Sequence, residues 1–193
     1  MANSARNTIT TVAGTEFRRL HLREELTDGT DKGANVISAW TTRDISTVVE
    51  NAVPGATLSS NQITLPAGTY RMKATMLYYV PSYVRTRLQN ITDAATIEHS
   101  INAYAAAGSG AVLTPITLET RFTIAATKTL ELQYYTTVVG SAQGLGFDDT
   151  ISGTPEYYVD IVIDQEVPAT SIKAIETGKL LHCLLYTSDA ADE

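Results

Sequence analysis

Cysteine is nearly absent from the 193-residue chain: Cys183 stands alone, which leaves no redox compartment or reactive thiol to infer. Bases are scarce too. Lys and Arg together number 14 against 21 acids, with no basic cluster, so no surface is built to neutralise many phosphates, and nucleic acid is excluded as a partner. Long apolar runs are missing. Met76-Leu77-Tyr78-Tyr79-Val80 is about a quarter of the roughly 20 residues that cross a bilayer, so no membrane insertion is expected. The opening Met1-Ala2-Asn3-Ser4-Ala5-Arg6-Asn7-Thr8 lacks the basic and then apolar stretch of a secretory signal; the sequon Asn90-Ile91-Thr92 is therefore expected to be idle. What is plentiful is core-forming material: 44% hydrophobic residues against 18% charged, enough for one globular domain rather than a solvated polymer.

The last residues, 183–193, resemble one reading frame of a transposon-type sequencing-library adapter. They are expected to be an artefact and are left out of the fold reading, together with the lone cysteine. Residues 165–182 are then a C-terminal extension cut at His182, and residues 1–20 a polar N-terminal lead-in ending in a short helix or an extended segment. The domain itself is expected over residues 21–164.

Within that span, apolar and polar residues alternate in short stretches separated by Gly, Pro, Asn and Asp, the pattern of an all-β sandwich. In residues 69–80, Tyr70, Met72, Ala74, Met76, Tyr78 and Val80 share a face opposite Arg71, Lys73 and Thr75, a period of two. Pro81 ends that strand, and residues 83–90 set Val84, Thr86 and Leu88 against Arg85, Arg87 and Gln89. The two are expected to pair as an antiparallel hairpin, as are the runs on either side of Ala126-Thr127-Lys128. Residues 157–164 give a final strand, with Tyr157, Val159, Ile161 and Ile163 on one face. No stretch shows the apolar spacing of a committed amphipathic helix; Ile172-Lys173-Ala174-Ile175-Glu176 is the one place where a helix start fits.

Catalytic groupings are missing as well. Gly108-Ser109-Gly110 lacks the spacing of a nucleophile elbow and reads as a loop. His21-Leu22-Arg23-Glu24-Glu25 lacks a second nearby imidazole for zinc and reads as a strand-edge histidine beside solvated carboxylates. No phosphate-cradling or dinucleotide-binding glycine motif occurs, so no enzyme is expected. No cofactor is called for, with one opening for calcium: Asp148 and Asp149, adjacent acids in a Gly-rich loop, supply hard oxygen ligands, though two acids fall short of six oxygens. Residues 94–110 and 140–153 read as long loops of variable contact. Trp40 reads as a core or inter-sheet plug. Adjacent tyrosine pairs should put one ring in and one out, and Tyr79, Tyr135 and Tyr158 are the candidates for outward rings buried against another subunit, with glycan stacking as the second use.

The stretches Trp40-Thr41-Thr42-Arg43-Asp44-Ile45-Ser46-Thr47-Val48-Val49, Asn61-Gln62-Ile63-Thr64-Leu65-Pro66-Ala67-Gly68-Thr69-Tyr70 and Arg87-Leu88-Gln89-Asn90-Ile91-Thr92-Asp93 resemble a known family. Phe122-Thr123-Ile124-Ala125-Ala126, Glu131-Leu132-Gln133 and Glu156-Tyr157-Tyr158-Val159-Asp160-Ile161 add to the likeness. The family is that of small phage and prophage virion proteins whose domain is similar to the complement globular-head and tumour-necrosis-factor jelly roll. The resemblance implies an antiparallel jelly-roll sandwich of two sheets, a homotrimer, and a place in tail fibres or other virion appendages, with virion proteins or a host glycan or receptor as partners. It brings no catalytic residues. The alternative is a monomeric carbohydrate-binding β-sandwich with calcium in the Asp148-Asp149 loop.

Overall fold

The alternating stretches form strands because turning every second residue inward buries a continuous apolar face while the backbone pairs with its neighbours. The computed structural model describes residues 16–79, 82–105, 113–138, 143–149 and 151–167. Along the chain they form β1 (Glu16–Leu26), β2 (Thr41–Thr42), β3 (Thr47–Asn51), β4 (Thr57–Ser59), β5 (Gln62–Leu65), β6 (Gly68–Tyr79), β7 (Ser82–Asn90), β8 (Ala95–His99), β9 (Ala103–Ala105), β10 (Leu113–Ile124), β11 (Lys128–Thr136) and β12 (Glu156–Val167). No helix occurs among the described residues. Residues 18–165 make one compact unit; the other comprises residues 1–17 and 166–193, of which only the outer ends of β1 and β12 are described. The helix start at 172–176, Cys183 and the adapter-like residues lie outside the described residues.

Two sheets face each other. One runs β10-β6-β12-β1-β3; the other runs β4-β5-β11-β7-β8, with β2 added to β11 and β9 to β7. The inward residues of β6 (Tyr70, Met72, Ala74, Met76, Tyr78) meet those of β11 (Leu130, Leu132, Tyr134) and β7 (Val84, Leu88), all nearly inaccessible. Tyr78 and Tyr134 touch across the core, 5.9 Å between ring centroids.

Neither expected hairpin forms. β6 and β7 lie in opposite sheets, as do β10 and β11. β6 pairs with β10 over twelve residues, from Leu113 opposite Tyr79 to Ile124 opposite Gly68, and β7 pairs with β11. A hairpin would place both apolar faces on the same side of one sheet and leave them wanting a cover, whereas crossing to the other sheet lets each cover the other. A true hairpin joins β4 to β5: Ser59 pairs with Gln62, and Ser60 and Asn61 between them have φ of 50° and 65°, the doubly positive pair of a type I′ turn. The side-chain oxygen of Asn61 accepts from the Ile45 amide.

Two long-loop readings also change. Residues 94–110 contain β8 and β9. The described part of 140–153 is tucked into the fold: Tyr79 and Lys32 donate their amides to the carbonyls of Gly144 and Gly146, and Leu145 donates to Gly33. Gly146, at φ +152°, lies against the Tyr158 ring, which a Cβ would approach to 2.1 Å. The extended alternative, and not the short helix, holds at the end of the lead-in, since β1 begins at Glu16.

Candidate functional site

Strand alternation gives each sheet an outer face, and the two faces differ in chemistry. On the five-stranded sheet several charges pair with one another. Arg19 meets Asp164 at 2.9 Å and Lys73 meets Glu119 at 3.0 Å. His21 Nε2 and Arg23 Nε both lie 2.7 Å from one oxygen of Asp160, and the Arg23 guanidinium covers the Tyr157 ring at 4.7 Å. A broad open hollow of about 610 Å³ lies among Arg71, Lys73, Glu119, Arg121, Val162 and Asp164.

The outer face of the seven-stranded sheet carries rings and arginines. Tyr83, Arg85 and Arg87 of β7 point outward because Val84, Thr86 and Leu88 point in. Across the ladder, Arg85 is opposite Tyr135 and Arg87 opposite Gln133; on the other side Tyr83 is opposite Tyr104 and Arg87 opposite His99. Arg87 donates through Nε to Gln133 at 2.9 Å and lies 4.3 Å over the Trp40 ring. That ring also touches Tyr135 and His99, each at 5.6 Å between centroids. Burial, and then the charges of Arg85 and Arg87, hold the His99 imidazole below its ordinary value. Although partial burial opposes it, hydrogen bonds from Thr42, Gln133 and Gln62 hold the Glu131 carboxyl below its usual range. At the end of this face the Tyr83 and Tyr104 rings meet at a tilt, 4.8 Å between centroids, and are about 60% exposed. Beside them a hollow of about 190 Å³ is lined by Tyr83, Arg85, Asn102, Tyr135 and Thr137. Arg85 makes no hydrogen bond or ion pair among the described residues.

A third polar group is internal. Glu24, nearly inaccessible, receives Lys32 at 2.6 Å and the equally buried Arg43 at 3.1 Å; Lys32 also reaches Asp44 at 2.7 Å, and Arg43 donates to the Leu145 carbonyl. Burial pushes the Glu24 carboxyl up, and Arg43 and Lys32 oppose that shift. The expected solvated carboxylate beside His21 is thus a buried one, because β1 turns Glu24 to the same side as Leu20 and Leu22.

The sequence-derived tyrosines separate. Tyr158 is not an outward ring: it is 2% exposed, its hydroxyl donates to the Thr30 carbonyl at 2.8 Å, and its neighbour Tyr157 is the exposed one. The alternation of β12 shifts by one here, with Tyr158 and Val159 both buried. Tyr79 is half-buried on the outer face of the five-stranded sheet, stacked on Phe147 at 5.6 Å. Tyr135 is half-buried on the opposite sheet. Trp40 is no inter-sheet plug; it lies half-buried on the outer face against Arg87. In the Gly-rich loop, the Asp148 amide donates to Asp31 and the Asp149 carboxylate accepts from the Ile151 amide. No group of three or more metal-ligating side chains occurs among the described residues. Sequence reading missed Tyr83, Arg85, Asn102 and Tyr104 as one site. The alternation of β7 carried half the signal, and the pairing with β9 and β11 the rest.

No protein-family model matches the chain, and no curated protein sequence matches it. Solved structures do. A structure of Eiger TNF from S. frugiperda matches at a TM-score of 0.53 and 13% identity, covering 79% of this chain and 94% of the other. Murine APRIL matches at 0.51 and 10%, covering 79% and 100%. The globular domain of zebrafish complement 1qA protein is matched at 0.44 and 10%, over 77% and 94%. The first two show the fold: an antiparallel two-sheet jelly roll of the tumour-necrosis-factor kind.

Proposed function

We propose that this jelly roll is a non-enzymatic recognition module that works as a homotrimer, self-associating through the outer face and open edges of its five-stranded sheet. One observation carries the reading. Among the described residues that sheet ends on two unpaired edges, β10 and β3, and each exposes apolar side chains: Leu113 beside Tyr79 at one, Val48 and Val49 at the other. Open strand edges with exposed apolar residues invite pairing. Edges on opposite flanks suit a head-to-tail contact, which makes a ring where the rotation between copies closes. The broad hollow between them gives a neighbour a seat. The number three comes from the family resemblance in the sequence, as does the setting, a tail fibre or other appendage of a phage particle.

Tyr79 and Tyr157 belong to this self-association face. Tyr158, spent inside the subunit, does not, and Tyr135 faces the other way. Light scattering on the chromatographed full chain tests the reading: three times the chain mass of 20.8 kDa is expected, and a monomer at micromolar concentration overturns it. Mass spectrometry of purified virions tests the setting, which the protein's absence from the particles would sink.

A further inference from the structure

The outer face of the seven-stranded sheet has its own occupant. We propose that the hollow formed by Tyr83, Arg85, Asn102 and Tyr135 binds a carboxylated sugar, with Arg85 on the carboxylate. This deepens the recognition reading above and rests on it, supplying the chemistry that the trimer would display.

Three adjacent strands set the groups in rows. Thr137, Tyr83 and Tyr104 form one row, since the Thr137 amide donates to the Tyr83 carbonyl, the Tyr83 amide donates to Thr137 Oγ1, and Tyr83 pairs with Tyr104. Tyr135 and Arg85 form the next, with Asn102 lining the same hollow, and Gln133, Arg87 and His99 form the third. The third row is committed: Arg87 is held by Gln133 and covers Trp40. Arg85, one row nearer the end of the face, is exposed and has no partner among the described residues. An arginine left unpaired between tyrosine rings in a concave site offers a planar, bidentate seat for a carboxylate.

The local charge favours an anion although the chain as a whole carries −7. Arg85 and Arg87 dominate this face, strongly enough to help lower the neighbouring imidazole. No acid lines the hollow; Glu131, held by three hydrogen-bond donors, and Glu98 lie outside its lining. Size and lining then choose among anions. The hollow, about 190 Å³, falls below the about 300–1,000 Å³ of pockets that engulf a whole drug-sized ligand. It suits one ring of a longer molecule, with the rest in solvent. Tyr83 and Tyr135 offer flat faces for the C–H side of a sugar ring, and Asn102, Thr137 and the phenol hydroxyls offer donors and acceptors for ring hydroxyls. An acidic peptide would use the arginine but leave those rings and hydrogen-bonding groups idle.

Isothermal titration of the full chain with N-acetylneuraminic acid and with galacturonic acid tests this, with the methyl ester of each, galactose and hexaglutamate as controls. Saturable binding of at least one free acid is expected. Its methyl ester should bind about tenfold or more weaker, and Arg85→Met should lose about tenfold or more, the range for a charge-assisted hydrogen-bonded pair. Tyr83→Ala should weaken binding while leaving the unfolding midpoint in place, because that ring is exposed. The NMR titration of the His99 ring should move upward when the acid binds, since the ligand's charge offsets that of Arg85. Failure of both acids to bind, equal binding of acid and ester, or hexaglutamate binding as tightly as the sugar would overturn the proposal. A trimer that binds neither acid defeats this inference alone; a monomer that binds one defeats the self-association reading and leaves this site standing.

Discussion

At the scale of single residues, the costliest arrangement in the molecule is the Arg43–Glu24–Lys32 cluster. Both members of the inner pair are cut off from water, so each holds the other in place against its desolvation. Arg43→Met leaves Glu24 facing Lys32 alone and is expected to lower stability by about 3–5 kcal/mol, the usual result of removing one partner of a buried pair. The double variant Arg43→Met with Glu24→Gln should recover part of that loss in urea denaturation, since no charge is then stranded. Asp160 behaves differently because it is half open to solvent. Partial burial works against ionisation there, but hydrogen bonds and charges from Arg23 and His21 hold its carboxyl below the ordinary value. A depressed carboxylate adds stability above its unfolded value and loses that contribution as pH falls through its folded one. The stability gap between the wild-type chain and Asp160→Asn should therefore be steady near pH 6 and shrink below about pH 4. A gap that widens on acidification would contradict the assignment of Arg23 and His21 as its partners.

At the scale of elements, pairing decides which strands are firm. β11 is hydrogen-bonded along both sides, by β5 and β2 on one and by β7 on the other, and its inward residues are fully buried. β4 and β9 are three-residue strands paired on one side. Native-state amide exchange should accordingly be slowest in β11 and β7 and fastest in β4 and β9; comparable protection in all four would show that pairing does not set local stability here. Much of this scale was legible in the chain. The inward set of β6 follows from its alternation alone, as does the outward set of β7, Arg85 and Arg87 included. The start of β12 was not legible, because Tyr157 and Tyr158 are chemically alike and a phase shift between Tyr158 and Val159 leaves no mark in composition. Gly146 explains the outcome only once the fold is seen: a residue without Cβ gives Tyr158 a surface to lie on, which draws that ring inward.

At the scale of the whole molecule, the two outer faces differ in chemistry, and the two proposals assign them separate tasks. Among the described residues the five-stranded sheet has open edges and several internal ion pairs, suited to another copy of itself. The seven-stranded sheet has rings with an arginine that is unpaired among the described residues, suited to a small anionic ligand. The faces are physically separable, so Leu113→Arg, which puts a charge at the exposed end of β10, should yield monomers in light scattering while leaving acid-sugar binding at the Arg85 hollow intact. Loss of both together would mean that the hollow is completed only in the assembly.

The sequence by itself determined the class of the molecule: an all-β chain with strands at the right places and apolar faces of the right parity, because side-chain alternation is a local property of extended backbone. It also carried the two arginines of β7 on one face. Only the tertiary structure decided which strands are neighbours, that β6 and β7 oppose each other across the core, that Glu24 is buried, and that Tyr83, Arg85, Asn102 and Tyr135 share a hollow. These outcomes depend on pairings between residues far apart in the chain, selected by how well two apolar faces cover each other, and no local period records that choice.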